Sequence, residues 1–173
     1  MGKKHIAIVT HLEMRERPAH HSVAPPHGLD ALLAAPEPPL HFYRYLYDRV
    51  GRDYVWVNRK RMSDETLAAI IHDPKVQVYV LYADGVPAGF IELDFRNPPT
   101  AELTFLGLMP EFVGRGFGRY LLAQALDLLW TPAETGRAIV QTCTLDHPRA
   151  LPMYQRFGFV PIGQQSVELE EVD

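Results

Sequence analysis

Cysteine is nearly missing from this chain: its 173 residues include one, Cys143. A single thiol excludes an internal disulfide and any zinc site built on several cysteines. It fits a reducing compartment, so a cytoplasmic protein is expected. An excess of positive charge is also missing. The formal net charge is −4, which argues against the broadly basic face of a nucleic-acid binder, though a local basic patch is still allowed. Long apolar runs are missing too. No stretch approaches the roughly 20 residues that span a bilayer, so no membrane role is expected. The opening Met-Gly-Lys-Lys-His has no apolar core behind its charges to make a secretory signal. No internal repeat is visible.

What is present suits an ordinary globular protein. Hydrophobic residues make up 47% of the chain, and the length suits one domain, residues 1–173, around one core. Residues 5–14 read as a strand. Residues 18–39 carry six prolines, which fix φ and remove donors, so this is a loop within the domain, with at most a helical turn over Leu29–Ala35. Residues 40–50 form a helix with a broad aromatic face. Ser63 opens a second helix that runs to His72, with Asp64 and Glu65 in its first turn. Strands follow over 76–82, 88–95 and 101–109, with Asp84-Gly85 as the hairpin turn between the first two. A helix over 117–130 repeats Leu121, Leu122, Ala125, Leu126 and Leu129 at helical spacing. A strand (138–145), a short helix (147–157) and a last strand region (159–170) complete the chain. The order β, α, α, β, β, β, α, β, α, β predicts a mixed α/β sheet of a three-layer kind, mostly antiparallel, with one β-α-β crossover.

The most informative stretch is Leu106 to Leu122. A strand ends at Pro110, glycines alternate at Gly114, Gly116 and Gly118, and a helix begins at once. Strand, glycine loop and helix N-terminus together present bare backbone N–H groups to a phosphate. The spacing is wrong for the Gly-x-Gly-x-x-Gly dinucleotide loop, because Arg119 stands where its third glycine would fall, and no P-loop exists. A glycine-rich helix entry without a ligand is the plain alternative.

Val113-Gly-Arg-Gly-Phe-Gly118, behind a strand ending in Pro110, resembles the central motif of the GNAT superfamily of acetyl-CoA-dependent N-acetyltransferases. His147-Pro-Arg-Ala150-Leu-Pro-Met-Tyr154, closing on Gly158-Phe159, is similar to that family's second motif. The likeness covers roughly residues 60–165. Two positions depart from the family pattern: Val113 replaces Gln or Arg, and His147 replaces Asn. The resemblance implies a GNAT-like α/β/α fold and transfer of an acetyl group from acetyl-CoA to the primary amine of a small molecule or peptide, without a metal. A non-catalytic acyl-CoA-binding module is the alternative on the same fold, and a homodimer is an allowed assembly.

It also implies residue roles. Backbone N–H groups from Val113 through Gly114, Arg115, Gly116, Phe117 and Gly118 to Arg119 hold the pyrophosphate, with Arg115 and Arg119 adding charge. Leu106 and Leu108 pair with pantetheine through backbone groups freed where the strands of 101–109 and 138–145 splay. The Leu108 N–H faces the thioester oxygen, and His147 stands near the acyl group. Tyr154 is the general acid, since a phenol titrating near 10 can return a proton to a thiolate. Glu102 is the candidate base, with Glu92 or water in reserve. Alternation along the strand predicts that Glu102 shares a face with Thr104 and Leu106. Tyr43, Tyr54, Trp56 and Glu92 are expected to line the acceptor pocket. Cys143 reads as core. His20, His21 and His27 lie in the proline-rich loop, but no carboxylate spacing supports a metal site there.

Overall fold

Alternating burial shapes the first element. In β1 (Lys4–Met14) Ala7 and Val9 are buried while Ile6 and Ile8 face outward, the alternation of a half-buried strand; past Thr10 the buried face changes, and Leu12 and Met14 are the buried positions. The computed structural model describes residues 2–19 and 22–173. His20 and His21 lie outside the described residues.

The next element departs from expectation. Leu29–Ala34 is a strand, β2, not a helical turn; Ala31 to Ala34 run antiparallel to Tyr82 to Tyr79. A short apolar run has no periodicity of its own, and a free sheet edge decides its conformation. The helices α1 (Leu40–Gly51) and α2 (Asp64–Ile71) follow, and the Ser63 hydroxyl accepts the Thr66 N–H as the α2 cap. β3 (Val76–Ala83) and β4 (Val86–Asn97) join through Asp84 and Gly85 at φ 51° and 80°. Positive φ at both turn positions is what an Asp-Gly hairpin supplies. β5 (Thr100–Leu108), α3 (Phe117–Leu129), β6 (Arg137–Cys143), α4 (Ala150–Arg156) and β7 (Val160–Glu170) complete the chain.

The sheet order is β2-β3-β4-β5-β6-β1-β7. Every pairing is antiparallel except β5 with β6, the crossover through α3. α1 covers one face, where Tyr43 packs on Phe90 and Tyr47 on Phe105. α2 joins it there through the Arg44–Asp64 ion pair. α3 and α4 lie on the opposite face: Gly118 sits against Leu108 and Met153. The core runs between these layers, and Tyr43, Tyr47, Phe90, Phe117 and Phe159 are its largest fully buried side chains. Among the described residues no helix is long and apolar enough to cross a membrane.

A bulge interrupts β5. Glu92 lies opposite Phe105, but Leu93 lies opposite Leu103, so Thr104 has no partner on β4. The extra residue turns the strand over. Glu102 therefore lies opposite Asp94 and shares the α1 face with Glu92 and Phe105. It does not share a face with Leu106, as uninterrupted alternation predicts.

Candidate active site

The two central strands part company. β5 and β6 pair only from Thr100 opposite Arg137 to Leu103 opposite Val140. Beyond that, β4 holds β5 as far as Leu108 and β1 holds β6 as far as Cys143. Each arm is tied to its outer neighbour, and the Thr104 bulge sits where the wedge opens. The result is a cleft of about 780 Å³, within the range of small-ligand sites.

Its β5 wall offers unpaired backbone. The Met109 N–H donates to Ala88 O on β4 at 2.8 Å, and in an antiparallel strand successive N–H groups point to opposite sides. Gly107 and Phe105 therefore face β4, while Leu106 and Leu108 turn their N–H and C=O groups into the cleft. The Thr104 hydroxyl, in the same wall, is buried with no hydrogen-bond partner.

The glycine loop closes one end. Gly114 and Gly116 stand at φ 86° and 88°, a region that only glycine enters without strain. No N–H from Gly114 to Arg119 donates to a described residue. Val113 is different, because its N–H closes a turn onto Pro110 O at 3.4 Å. The open donors thus begin one residue later than expected, and they sit at the positive end of α3. The two arginines diverge. Arg119 lines the cleft, whereas Arg115 pairs with Asp84 at 3.0 Å, lies over the Phe112 and Phe117 rings, and does not line it. Arg149 and Arg156, beside the second motif, also line the cleft. Only their position in the folded chain, not a motif, marks them.

The family now follows. The profile of the Acetyltransferase (GNAT) family matches residues 43–159. The chain belongs to the GNAT acetyltransferase family. The fold is similar to that of a GCN5-related N-acetyltransferase from Kribbella flavida, with TM-score 0.63 and 16% identity over 99% of this chain and 61% of that one. It is also similar to an IAA acetyltransferase from Bacillus cereus, with TM-score 0.57 and 16% identity over 81% of this chain and 99% of that one. An aminoglycoside acetyltransferase from an uncultured soil metagenomic sample matches with TM-score 0.58 and 18% identity over 76% and 88% of the two chains. At such identities the likeness speaks for the fold. The chain spans only 64%, 61% and 66% of the first three structures it matches. No curated protein sequence matches it.

In this GNAT domain the cleft is also lined by Tyr54, Trp56, Asp146, His147 and Tyr154. Tyr154 is buried, and burial first, then the Asp146 carboxylate, push its phenol well above the usual range. His147 accepts the Arg149 N–H on Nδ1 at 3.1 Å and meets the Tyr54 ring edge-on. It shapes the turn into α4, so that helix begins at Ala150 rather than at His147. Trp56 is seated by two glycines: a Cβ on Gly51 would lie 2.5 Å from it, and one on Gly107 would lie 3.2 Å from its ring. Asp146, which no motif marks, lies beside His147 and is held by Thr142 Oγ1 at 2.7 Å and the Cys143 N–H at 2.9 Å. Cys143 itself lines the cleft rather than filling the core.

Other expected site residues lie elsewhere. Tyr43 is fully buried beneath α1 and does not line the cleft; its hydroxyl donates to Glu92 Oε1 at 2.5 Å. Glu92 is equally buried, and Arg59 pairs with its other oxygen at 2.6 Å. A carboxylate with both oxygens engaged in a core ion pair serves structure, and Arg59, the residue it needs, carries no local signal in the sequence. Glu102 is half-buried on the same face and also does not line the cleft. Burial, then the neighbouring Asp94 and Glu92 charges, raise its carboxyl.

Proposed function

We propose that this chain transfers the acetyl group of acetyl-CoA to a primary amine, by direct attack with both substrates bound. The observation that carries the reading is one continuous track of unpaired backbone. It starts at the Gly114–Arg119 N–H groups and follows Leu108 and Leu106 along the open β5 edge, in a cleft that Tyr154 also lines. A pyrophosphate needs the first part, and a pantetheine amide chain with its thioester the second. Acetyl-CoA supplies the activated acyl carbon. In this reading the Leu108 N–H stabilises negative charge on the thioester oxygen, and Tyr154 holds a proton for the departing sulfur. Arg119, with Arg149 and Arg156, supplies cationic charge along the cleft for the phosphates.

Three measurements test this. Acetyl-CoA should raise the melting temperature, and ATP or NAD should not; the reverse would refute it. A panel of alkylamines, polyamines, amino acids, aminoglycosides and peptide N-termini, read by release of free thiol, should reveal transfer. Tyr154→Phe should lower kcat by about 10²-fold or more while acetyl-CoA binding persists. Binding of acetyl-CoA with no transfer to any amine would instead mark a non-catalytic module.

A further inference from the structure

Among the described residues Asp146 is the one carboxylate that lines the cleft; the other charged residues there are Arg119, Arg149 and Arg156. Its two oxygens differ. Oδ2 is satisfied by Thr142 Oγ1 and the Cys143 N–H. Oδ1 has only a long contact from Trp56 Nε1, at 3.4 Å. A carboxylate anchored by one oxygen and nearly free at the other has room for a further donor. Tyr54 and Trp56 line the same cleft, and Trp56 turns its N–H edge toward Oδ1. The two other acidic candidates do not compete for this place. Glu92 is spent on Arg59 and Tyr43, and Glu102 lies on the α1 face, off the cleft.

We propose that Asp146 is the acceptor-binding carboxylate of this cleft: it selects a cationic primary amine and takes the proton that the amine must lose before attack. This rests on the acetyltransferase reading above. In water an alkylammonium holds its proton about a millionfold more tightly than a carboxylate. A cleft filled by both substrates changes that balance, because burying an ion pair is costly and burying the neutral acid–amine pair is not. The protons balance. The first ammonium proton passes to Asp146 Oδ1, stays there through attack, and is released to solvent when the products leave. The nitrogen bonds to the acyl carbon as the carbon–sulfur bond breaks. Tyr154 gives its proton to the sulfur, and the second nitrogen proton restores Tyr154. The two residues are coupled, since the Asp146 charge opposes ionisation of Tyr154. Protonating Asp146 removes that opposition just when Tyr154 must act as an acid.

The titratable and charged groups around Asp146 are Tyr54 after α1, Cys143 on β6, His147 and Arg149 before α4, and Tyr154 on α4. The test compares wild type, Asp146→Asn and Glu102→Gln from pH 6 to 10. The acceptors are benzylamine, spermidine and the fastest amine of the panel, with hydroxylamine as a nucleophile that is uncharged at neutral pH. Asp146→Asn should lose about 10²-fold in kcat/KM for the alkylammonium acceptors at pH 7. The deficit should shrink as pH rises, and it should be small with hydroxylamine throughout. Asp146→Glu should recover part of the loss. Acetyl-CoA affinity and melting temperature, measured on each variant, separate this from misfolding. An equal deficit at every pH and with every nucleophile would overturn the proposal, as would a pH-dependent loss in Glu102→Gln alone. If wild type binds acetyl-CoA but acetylates no amine, the acetyltransferase reading fails first, and this proposal with it.

Discussion

Arg59→Met should cost this protein several kcal/mol of stability. The Arg59 and Glu92 side chains are 10% and 1% exposed and meet at 2.6 Å. The Glu92 carboxylate also accepts the Tyr43 hydroxyl, and the Arg59 guanidinium lies 5.3 Å from the centre of the Phe105 ring. Removing the cation strands a carboxylate between α1 and the sheet. Breaking one partner of a buried pair costs about 3–5 kcal/mol. In a domain of this size each kcal/mol moves the melting temperature by about 2–4 °C, so the drop should be about 6–20 °C. Glu92→Leu should cost a similar amount for the converse reason. The double variant Arg59→Met, Glu92→Leu strands no charge, so it should cost clearly less than the sum of the singles; the Tyr43 hydroxyl it orphans adds about 1–3 kcal/mol. Urea and thermal unfolding of the four proteins closes the cycle. Single-variant losses under about 1 kcal/mol, or simple additivity, would refute the account. A functional readout follows from the same geometry. Arg59 belongs to the segment that carries Tyr54 and Trp56, and its backbone N–H donates to the Tyr47 hydroxyl at 3.3 Å. Loosening it should raise KM for the amine and leave acetyl-CoA affinity unchanged.

Glu102→Gln tests the raised carboxyl on β5. A carboxyl whose folded pKa is raised stabilises the fold at low pH and loses that contribution as pH climbs through the folded pKa. The variant should therefore melt higher than wild type at pH 7, and the gain should vanish near pH 4; a gain independent of pH would contradict the assignment. Gly116→Ala should destabilise by about 1–2 kcal/mol through its left-handed backbone and weaken acetyl-CoA binding in calorimetry. Gly118→Ala, whose added carbon has nothing nearer than 3.9 Å among the described residues, should leave the melting temperature near wild type. Cys143 is the lone thiol and lines the cleft, so acetyl-CoA should protect it from iodoacetamide. Burial, then the Asp146 charge, raise its thiol; Asp146→Asn should speed its alkylation at pH 8, and unchanged rates would place the carboxylate too far away.

What the amino-acid order determined alone was local. Ser63 before an acidic first turn, Asp84-Gly85 between two strands, and glycines at Gly114 and Gly116 ahead of a leucine-spaced helix each act through φ/ψ preferences and hydrogen bonds spanning a few residues. A short window therefore contains the whole cause. The two motifs that mark the family are read over equally short windows, and the fold brings Gly114, Gly116, Gly118 and Tyr154 to the lining of one cleft. The tertiary structure decided the rest. β2 is a strand because β3 leaves it an edge. The bulge at Thr104 is visible only in the pairing with β4, and it moves Glu102 off the face that alternation assigns. Tyr43 and Glu92 became core because Arg59 arrives from another segment to neutralise the carboxylate. Asp146 and Trp56, separated by 90 positions, meet only because β5 and β6 part. Burial and pairing between distant segments set such choices, and neither is written in any single stretch of sequence.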